Sequence, residues 1–404
     1  NGGSATLGVF ATGAGELTYA WKKDGSMIDG ATSSVLNLSG LTAADAGTYE
    51  VTVTGGNGAT LSSSTTLSVI GLGYGNGPFY GVGDLPSGAA YSEIRDATKA
   101  NGVIYAVGNS SGKPGSNFAD TGVLWRSDTG LVELPNLVSY SWGLAFVSAS
   151  AITPDATYIA SRGRVGEGNQ RQATRVTTSN LAVETLPFPS GFGTYSAATA
   201  ISDDGSVVYG FASNSPSTFG AIRFEPGTSS SFAIPMPDGP FDRSFAGGGR
   251  TTSSDGSILV GSVNKSDDTS ILRAMRYEHG VGSSLFPLLA GGTWNDSLAV
   301  SPDGNTALLR GDSSAHVNGE IYLHQTDTGE LIPLGSPNTA WDPLNLGGLS
   351  GDGQVAVISF YDPNSGSGAA YFRNSHGWFP LTAALGALSI ETPGWKVETA
   401  LGIS

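Results

Sequence analysis

The chain has 404 residues, a formal charge of −15, 60 glycines and no cysteine, and charged residues make up 13% of it. The acidic balance disfavours nucleic acid and anionic lipid surfaces, both of which call for lysine and arginine, and the missing cysteines exclude disulfides and thiolate chemistry. A glycine share about twice the usual one, with no long apolar stripe at helical spacing, predicts short strands, tight turns and almost no α-helix.

No apolar run approaches the length of a membrane span, and no signal segment is visible. An acidic, lysine-poor surface rich in Ser, Thr and Gly suits an extracellular or cell-surface bacterial protein whose targeting segment has been removed.

Residues 1–70 read as one unit. TLGVFATG and LTYAWKKDG alternate as strands, SVLNLSGL follows, and DAGTYEVTVTG and STTLSVI complete the set. Trp21 falls on the third main strand, and Asp45-Ala-Gly-Thr-Tyr49 has the pattern of a tyrosine corner. On these residues the unit resembles a bacterial immunoglobulin-like domain. The resemblance implies a two-sheet sandwich in which Val9 and Val51 stand where antibody domains carry their cysteines, and a spacing or display role. The family's first strand has no counterpart before GGSATL, so an open edge is expected there. Residues 71–78 read as a linker.

From residue 79 the chain repeats every fifty residues or so. The clearest copies are AISDDGSVVYG, TTSSDGSILVG, AVSPDGNTALL and GLSGDGQVAVI, with glycines at 205, 256, 304 and 353. Weaker copies surround Gly102 and Asp155. Each is followed by a third strand such as GAIRFE or RAMRYE, then a turn and a fourth such as DTGELIPL. Four strands at this period predict a β-propeller over 79–404. Six repeats are complete, the stretch 79–86 is a closing strand, and 398–404 begins a seventh blade. The expected fold is therefore all-β, an immunoglobulin-like sandwich followed by a propeller of four-stranded blades. The Asp-Gly pairs predict two-residue hairpin turns with both residues at positive φ.

These repeats resemble the HAF-repeat family of bacterial extracellular proteins. Its pattern is a small-apolar-Ile-Ser-x-Asp-Gly turn, a valine-rich strand ending in Gly, then Ala-Phe-Arg-Trp. Ala221-Ile-Arg-Phe224 and Ala274-Met-Arg-Tyr277 keep the third element, whereas Trp125, Tyr322 and Tyr371 occupy the arginine slot in other repeats. The resemblance implies an extracellular propeller and carries no catalytic residues.

Chemistry-bearing residues are sparse. Ser-x-Asp-Gly differs from the sialidase Asp-box in spacing and lacks its tryptophan, so it reads as a turn. His279 and His376 fall in turns, and His316 and His324 lack a carboxylate cluster at metal spacing. No cofactor is expected; Ca2+ would suit the oxygens around Asp267 and Asp268, which read more simply as a solvated loop. Arg175, Arg223 and Arg276 recur on third strands, away from the axis, where contacts between blades explain them.

The links from fourth strand to next first strand each carry an aromatic: Tyr91, Trp142, Tyr195, Phe241 (with Phe245 nearby), Trp294, Trp341 and Trp395. They form a ring at one mouth, a platform for carbohydrate or peptide, or else wedge between blades as core.

Two functions compete. One is a non-catalytic binding, adhesion or structural protein with polysaccharide, another surface protein or copies of itself as partner. The other is a propeller-fold polysaccharide lyase or glycoside hydrolase, which requires a converging acid/base group that the spacing does not supply. Both chain ends read as clipped, so the chain is expected to be a fragment; completion by strands from a neighbouring subunit is the alternative.

Overall fold

The computed structural model describes residues 5–13, 15–39, 41, 43–67, 85, 92–110, 121–135, 137, 148–165, 170–193, 195–215, 218–338, 342–362, 367–374 and 377–387. The chain divides into two compact units, residues 1–79 with 381–396, and residues 80–380 with 397–404. Leu381–Ala387, a short helix rich in Ala and Leu, thus groups with the first unit, although its sequence position falls inside the predicted propeller span. The open first edge of the sandwich, the linker and the unfinished seventh blade all lie outside the described residues.

In the first unit, strands Ser26–Met27, Thr18–Lys23, Gly47–Thr54 and Thr60–Leu67 form one sheet, in that spatial order. Ala5–Gly8 and Val35–Leu38 form the other. Trp21 lies opposite Val51 across the ladder, and both are buried with Leu36 and Tyr49, while Val9 and Leu38 pack against them. The Tyr49 hydroxyl donates to the Asp45 carbonyl at 2.9 Å, closing the tyrosine corner. The Trp21 indole N–H donates to the Ser33 carbonyl at 2.8 Å, so both large rings bury their apolar bodies and keep their polar atoms paired. The two sheets of this unit are held by apolar packing around Trp21, Leu36, Tyr49 and Val51.

The second unit is a propeller. Blade 1 comprises Ser92–Ala100, Val103–Ser110, Thr121–Arg126 and Gly130–Glu133. Blade 2 comprises Ser148–Ile152, Tyr158–Arg164, Arg171–Thr177 and Val183–Thr185. Blade 3 comprises Tyr195–Ile201, Val208–Ser215, Thr218–Glu225 and Ser230–Ala233. Blade 4 comprises Arg243–Ala246, Ile258–Lys265, Asp268–Glu278 and Gly282–Leu285. Blade 5 comprises Asn295–Val300, Thr306–Gly311, Glu320–Gln325 and Leu331–Gly335. Blade 6 comprises Asp342–Leu349, Ala356–Asp362, Ser367–Asn374 and Gly377–Pro380. Within each blade consecutive strands pair antiparallel, so the first strand is an inner edge and the fourth an outer edge.

The apolar core lies between blades. Leu124 and Leu134 of blade 1 pack with Ile152 and Ile159 of blade 2. Leu186 of blade 2 meets Val208 and Phe224 of blade 3. The same sharing joins blades 3 and 4 through Tyr209 and Leu259, blades 4 and 5 through Val260 and Leu309, and blades 5 and 6 through Leu308 and Phe360. A single blade cannot bury both faces, so only stacking the repeats closes the core.

Two local devices recur. Inner strands of blades 1, 2, 3 and 5 carry a register shift near mid-strand, at Ile94/Asp96, Ala149/Ala151, Ala198/Ala200 and Ser297/Ala299. In blades 1 and 3 a glycine, Gly108 or Gly210, faces that irregularity, where blades 2 and 5 carry Ser161 and Leu309. A Cβ on Gly210 would stand 1.8 Å from the Ala197 carbonyl oxygen, so the two strands approach as only glycine permits.

The second device corrects the turn predicted from Asp-Gly. Only the first repeat has a two-residue turn with both residues at positive φ, Asn101 at 50° and Gly102 at 80°. In blade 3 the turn is longer: Ser202 and Val207 close it, Gly205 alone has positive φ (71°), and Asp204 acts through its side chain. The Asp204 carboxylate accepts from the Ser202 hydroxyl (2.8 Å), the Ser206 N–H (2.9 Å) and the Ser206 hydroxyl (2.8 Å), while Ser202 Oγ accepts from the Val207 N–H (3.0 Å). A short carboxylate that can bond its own backbone two residues on removes any need for a left-handed Asp.

Candidate functional site

The inner strands have two ends, and side chains of different chemistry gather at each. At the end where the links enter, the structure describes three of the seven predicted aromatics; Tyr91, Trp142, Trp341 and Trp395 lie outside the described residues. Phe241 packs against the core shared by blades 3 and 4, which is the wedge position. Trp294 is half-buried beneath Arg310, whose guanidinium carbon lies 5.6 Å from the ring centroid. Arg310 forks onto Asp296 at 2.9 and 3.2 Å and donates to the Pro343 carbonyl of blade 6 at 2.7 Å.

Tyr195 belongs to a larger assembly. It stacks on Phe211 at 5.6 Å between centroids, and Phe219 and Phe245 continue the cluster. Arginines border it: Arg162 donates to the Tyr195 hydroxyl, Arg171 lies 5.5 Å from the Tyr195 ring, and Arg243 lies 5.7 Å from Phe219. These side chains are all half-buried, so each ring keeps an accessible part. Burial lowers the Arg162 pKa from its ordinary value; the Tyr195 oxygen opposes this, and Arg171 and Arg95 add to it.

At the other end, where the hairpins turn, the propeller axis opens into a cavity of about 340 Å³. Every described blade contributes to it, with Lys99, Pro154, Asp203, Arg250, Pro302 and Leu349 among its walls. Its rim is cross-tied: the Asp203 N–H donates to Ser254 O (2.9 Å), the Ser254 N–H to Pro302 O (2.7 Å), and the Ser254 hydroxyl to the Asp203 carboxylate (2.6 Å).

Two charged residues meet beside the cavity. Asp96, on the inner strand of blade 1, accepts from the Ala97 and Ile152 N–H groups, each at 2.9 Å. Arg250 of blade 4 approaches it across the axis, Nε to Oδ1 3.8 Å, with the Asp96 side chain 5% exposed and that of Arg250 26%. Burial raises the Asp96 carboxyl above its ordinary value, although Arg250 and the two N–H donors pull it down. At that distance Arg250 makes an ion pair without a hydrogen bond.

Arg250 ends a Gly247-Gly248-Gly249-Arg250 run that widens the inner-strand irregularity of blade 4. The Gly249 N–H ties this run to Thr199 O of blade 3 at 3.0 Å, and Arg250 O accepts from Val300 N of blade 5 at 3.0 Å.

Two of the three third-strand arginines, Arg175 and Arg223, join blades as expected, whereas Arg276 pairs within its own strand. Arg175 donates to Gly205 O of the next blade at 2.7 Å and forks onto Glu184. Arg223, buried, donates to Tyr209 Oη at 2.9 Å and to Gly256 O of the next blade at 2.7 Å. Arg276 pairs with Glu278 at 2.5 Å.

Of the histidines, His279 is exposed and His376 lies outside the described residues. His324 is buried edge-on against Phe286, and burial, with Arg276, lowers its pKa. His316 lies near Glu320 (3.9 Å), but the Ser313 hydroxyl donates to Glu320 (2.5 Å) and not to the histidine, unlike a nucleophile–base pair. Asp267 faces Lys265 at 3.0 Å, and Asp268 accepts from Ser270, so the two carboxylates considered for Ca2+ do not converge. Among the described residues no group of three or more potential ligands could hold a metal ion.

No family model matches the chain. The decoration protein of Escherichia phage T5 is 45% identical over 65 residues, which is 16% of this chain and 40% of that protein's length. Among solved structures, TolB from Acinetobacter baumannii is 16% identical, with a TM-score of 0.43 over 82% of this chain and 76% of that one. Prolyl oligopeptidase B from Galerina marginata is 13% identical, with a TM-score of 0.47 over 72% of this chain and 43% of that one. Oligogalacturonate lyase from Vibrio parahaemolyticus is 12% identical, with a TM-score of 0.43 over 73% of each chain. At these identities the likeness to solved structures says nothing about chemistry.

Proposed function

We propose that the chain is a non-catalytic extracellular or cell-surface binding protein, a HAF-type propeller displayed beside an immunoglobulin-like module, with polysaccharide as its partner. The observation that carries this reading is the half-buried Tyr195, Phe211, Phe219 and Phe245 cluster bordered by Arg162, Arg171 and Arg243 at the link end. Flat rings offer stacking faces to sugar rings, and guanidinium groups offer forked donors to their oxygens. The partial match to a phage decoration protein supports a display role. The described carboxylates at the turns are tied to neighbouring hydroxyl and N–H groups, an arrangement suited to structure.

A glycan array followed by a reducing-end assay tests the proposal. Binding of at least one polysaccharide without turnover is expected, with a loss of roughly tenfold in Tyr195→Ala, about the stacking energy of one ring. Turnover of any bound polysaccharide would overturn the non-catalytic reading, and an array with no binding would overturn the choice of partner.

A further inference from the structure

The hairpin-end cavity has chemistry that the polysaccharide proposal does not use. Its wall carries two cationic side chains, Arg250 and Lys99, and the Arg250 guanidinium meets no hydrogen-bond acceptor among the described residues. Its Nε is buried without a hydrogen bond, and so is the Thr251 hydroxyl beside it. Buried donors in folded proteins are ordinarily paired, and a guanidinium presents a planar fork shaped for a carboxylate. Asp96 supplies a counter-charge at 3.8 Å, but its oxygens already accept from Ala97 and Ile152.

The remaining walls say what body such an anion has. Pro154, Val300, Pro302 and Leu349 are aliphatic, and no aromatic ring lines the cavity among the described residues. The polar part of the wall is Thr98, Thr252, Ser254 and Asp203, and the one carboxylate among them, Asp203, accepts from the Ser254 hydroxyl at 2.6 Å. Sugar-binding surfaces rely on flat ring faces, which gather at the opposite end of these inner strands. About 340 Å³ is room for a group of two or three residues' size. We propose that the axial cavity is a second binding site, specific for a carboxylate on an aliphatic body, with Arg250 as the residue that holds the carboxylate and Lys99 at the mouth. Such a carboxylate is carried either by the C-terminus of an extended peptide or by a free aliphatic acid.

The full chain, labelled with 15N-arginine, provides the test. The Nε–H resonance of Arg250, assigned by its disappearance in Arg250→Lys, is followed during titration with butyrate, with N-acetyl-Pro-Leu as free acid and as amide, and with glucuronate. Sodium chloride at matched ionic strength serves as the control. The expected result is a saturable shift with butyrate and with the acetyl-dipeptide acid, weaker at least tenfold for the amide and for glucuronate. Tighter binding of the dipeptide than of butyrate assigns the site to a peptide terminus, and the reverse assigns it to a free acid. Asp96→Asn, which removes the neighbouring negative charge, is expected to tighten butyrate binding several-fold.

Equal shifts with chloride and carboxylate, equal response to acid and amide, or no saturable shift at all would overturn the proposal. Arg250→Met is expected to abolish carboxylate binding and leave glycan binding at the link end unchanged. Failure of one site is therefore distinguishable from failure of the other.

Discussion

At the hairpin end of the inner strands, blades 3, 4, 5 and 6 all turn with one device, Ser202, Ser253, Ser301 and Ser350 each donating to an Asp two residues on. At the link end, the repeated aromatics stand in unlike settings: Phe241 in the core, Trp294 under an arginine, Tyr195 in an open cluster. Repetition therefore marks structure at one end and only approximate position at the other. The candidate chemistry appears where a blade departs from its own repeat. Asp96 stands where the equivalent positions after the register shift carry Ala151, Ala200 and Ala299. Arg250 follows a run of three glycines that no other described blade carries in its inner strand.

The sharpest way to break this comparison is to alter a residue that the repeat shares. Gly210→Ala is expected to cost about 3 kcal/mol, at the upper end for forcing atoms into a packed site, because its Cβ would meet the Ala197 carbonyl at 1.8 Å. Gly193, with nothing within 4 Å of its Cβ, is the control and should change little as Gly193→Ala. Urea unfolding measures both; equal stability of the two variants would show that the inner-strand irregularity yields freely.

Two arginines sharpen the comparison at an intermediate scale. Arg223 cements blades 3 and 4 through Tyr209 and the Gly256 carbonyl, whereas Arg250 borders the cavity. Arg223→Met removes two buried charge-assisted hydrogen bonds, leaving the Tyr209 hydroxyl still donating to the Gly256 carbonyl, and should cost about 2 kcal/mol. Arg250→Met loses no hydrogen bond to protein and, measured in the Asp96→Asn background so that no buried charge is left unpaired, should cost about 1 kcal/mol or less. A larger loss at Arg250 than at Arg223 would make Arg250 a structural residue and weaken its assignment to a ligand.

Much of this architecture was legible because it rests on local and periodic signals. Trp21 with the Asp45 to Tyr49 pattern located the sandwich core, and the spacing of the four strands located the blades. The turn geometry was misread because the same Asp-Gly pair serves two loop lengths: Asp24-Gly25 closes a two-residue loop in the first unit, and Asp204-Gly205 sits inside a longer one. The serine three residues ahead of Gly205, whose hydroxyl caps the far side of the loop, was the distinguishing sign. Arg250 was missed because attention to recurring residues passes over a residue that occurs once. The break in the repeat at GGGR was nevertheless visible in the sequence.

The smallest expected effects concern two aspartates that titrate in opposite senses. Ser206 and Ser202 hold the Asp204 carboxyl below its ordinary value, the Ser206 N–H first among the causes. Its contribution to stability is therefore present above the unfolded-state value, about 4, and is lost as pH falls through the lower folded-state value. Asp96 is the reverse: burial raises it, so it favours the folded state below about 4 and loses that contribution as pH rises through its higher folded-state value. Thermal unfolding of Asp204→Asn, Asp96→Asn and the parent between about pH 3 and 7 separates them. Relative to the parent, Asp204→Asn should be weaker at neutral pH by a few tenths of a kcal/mol, since the turn is largely exposed, and should converge with it in acid. Asp96→Asn should gain on the parent as pH rises. Parallel pH profiles for the two variants would mean that Asp96 is paired as completely as a turn carboxylate, leaving Arg250 no freedom to hold another anion.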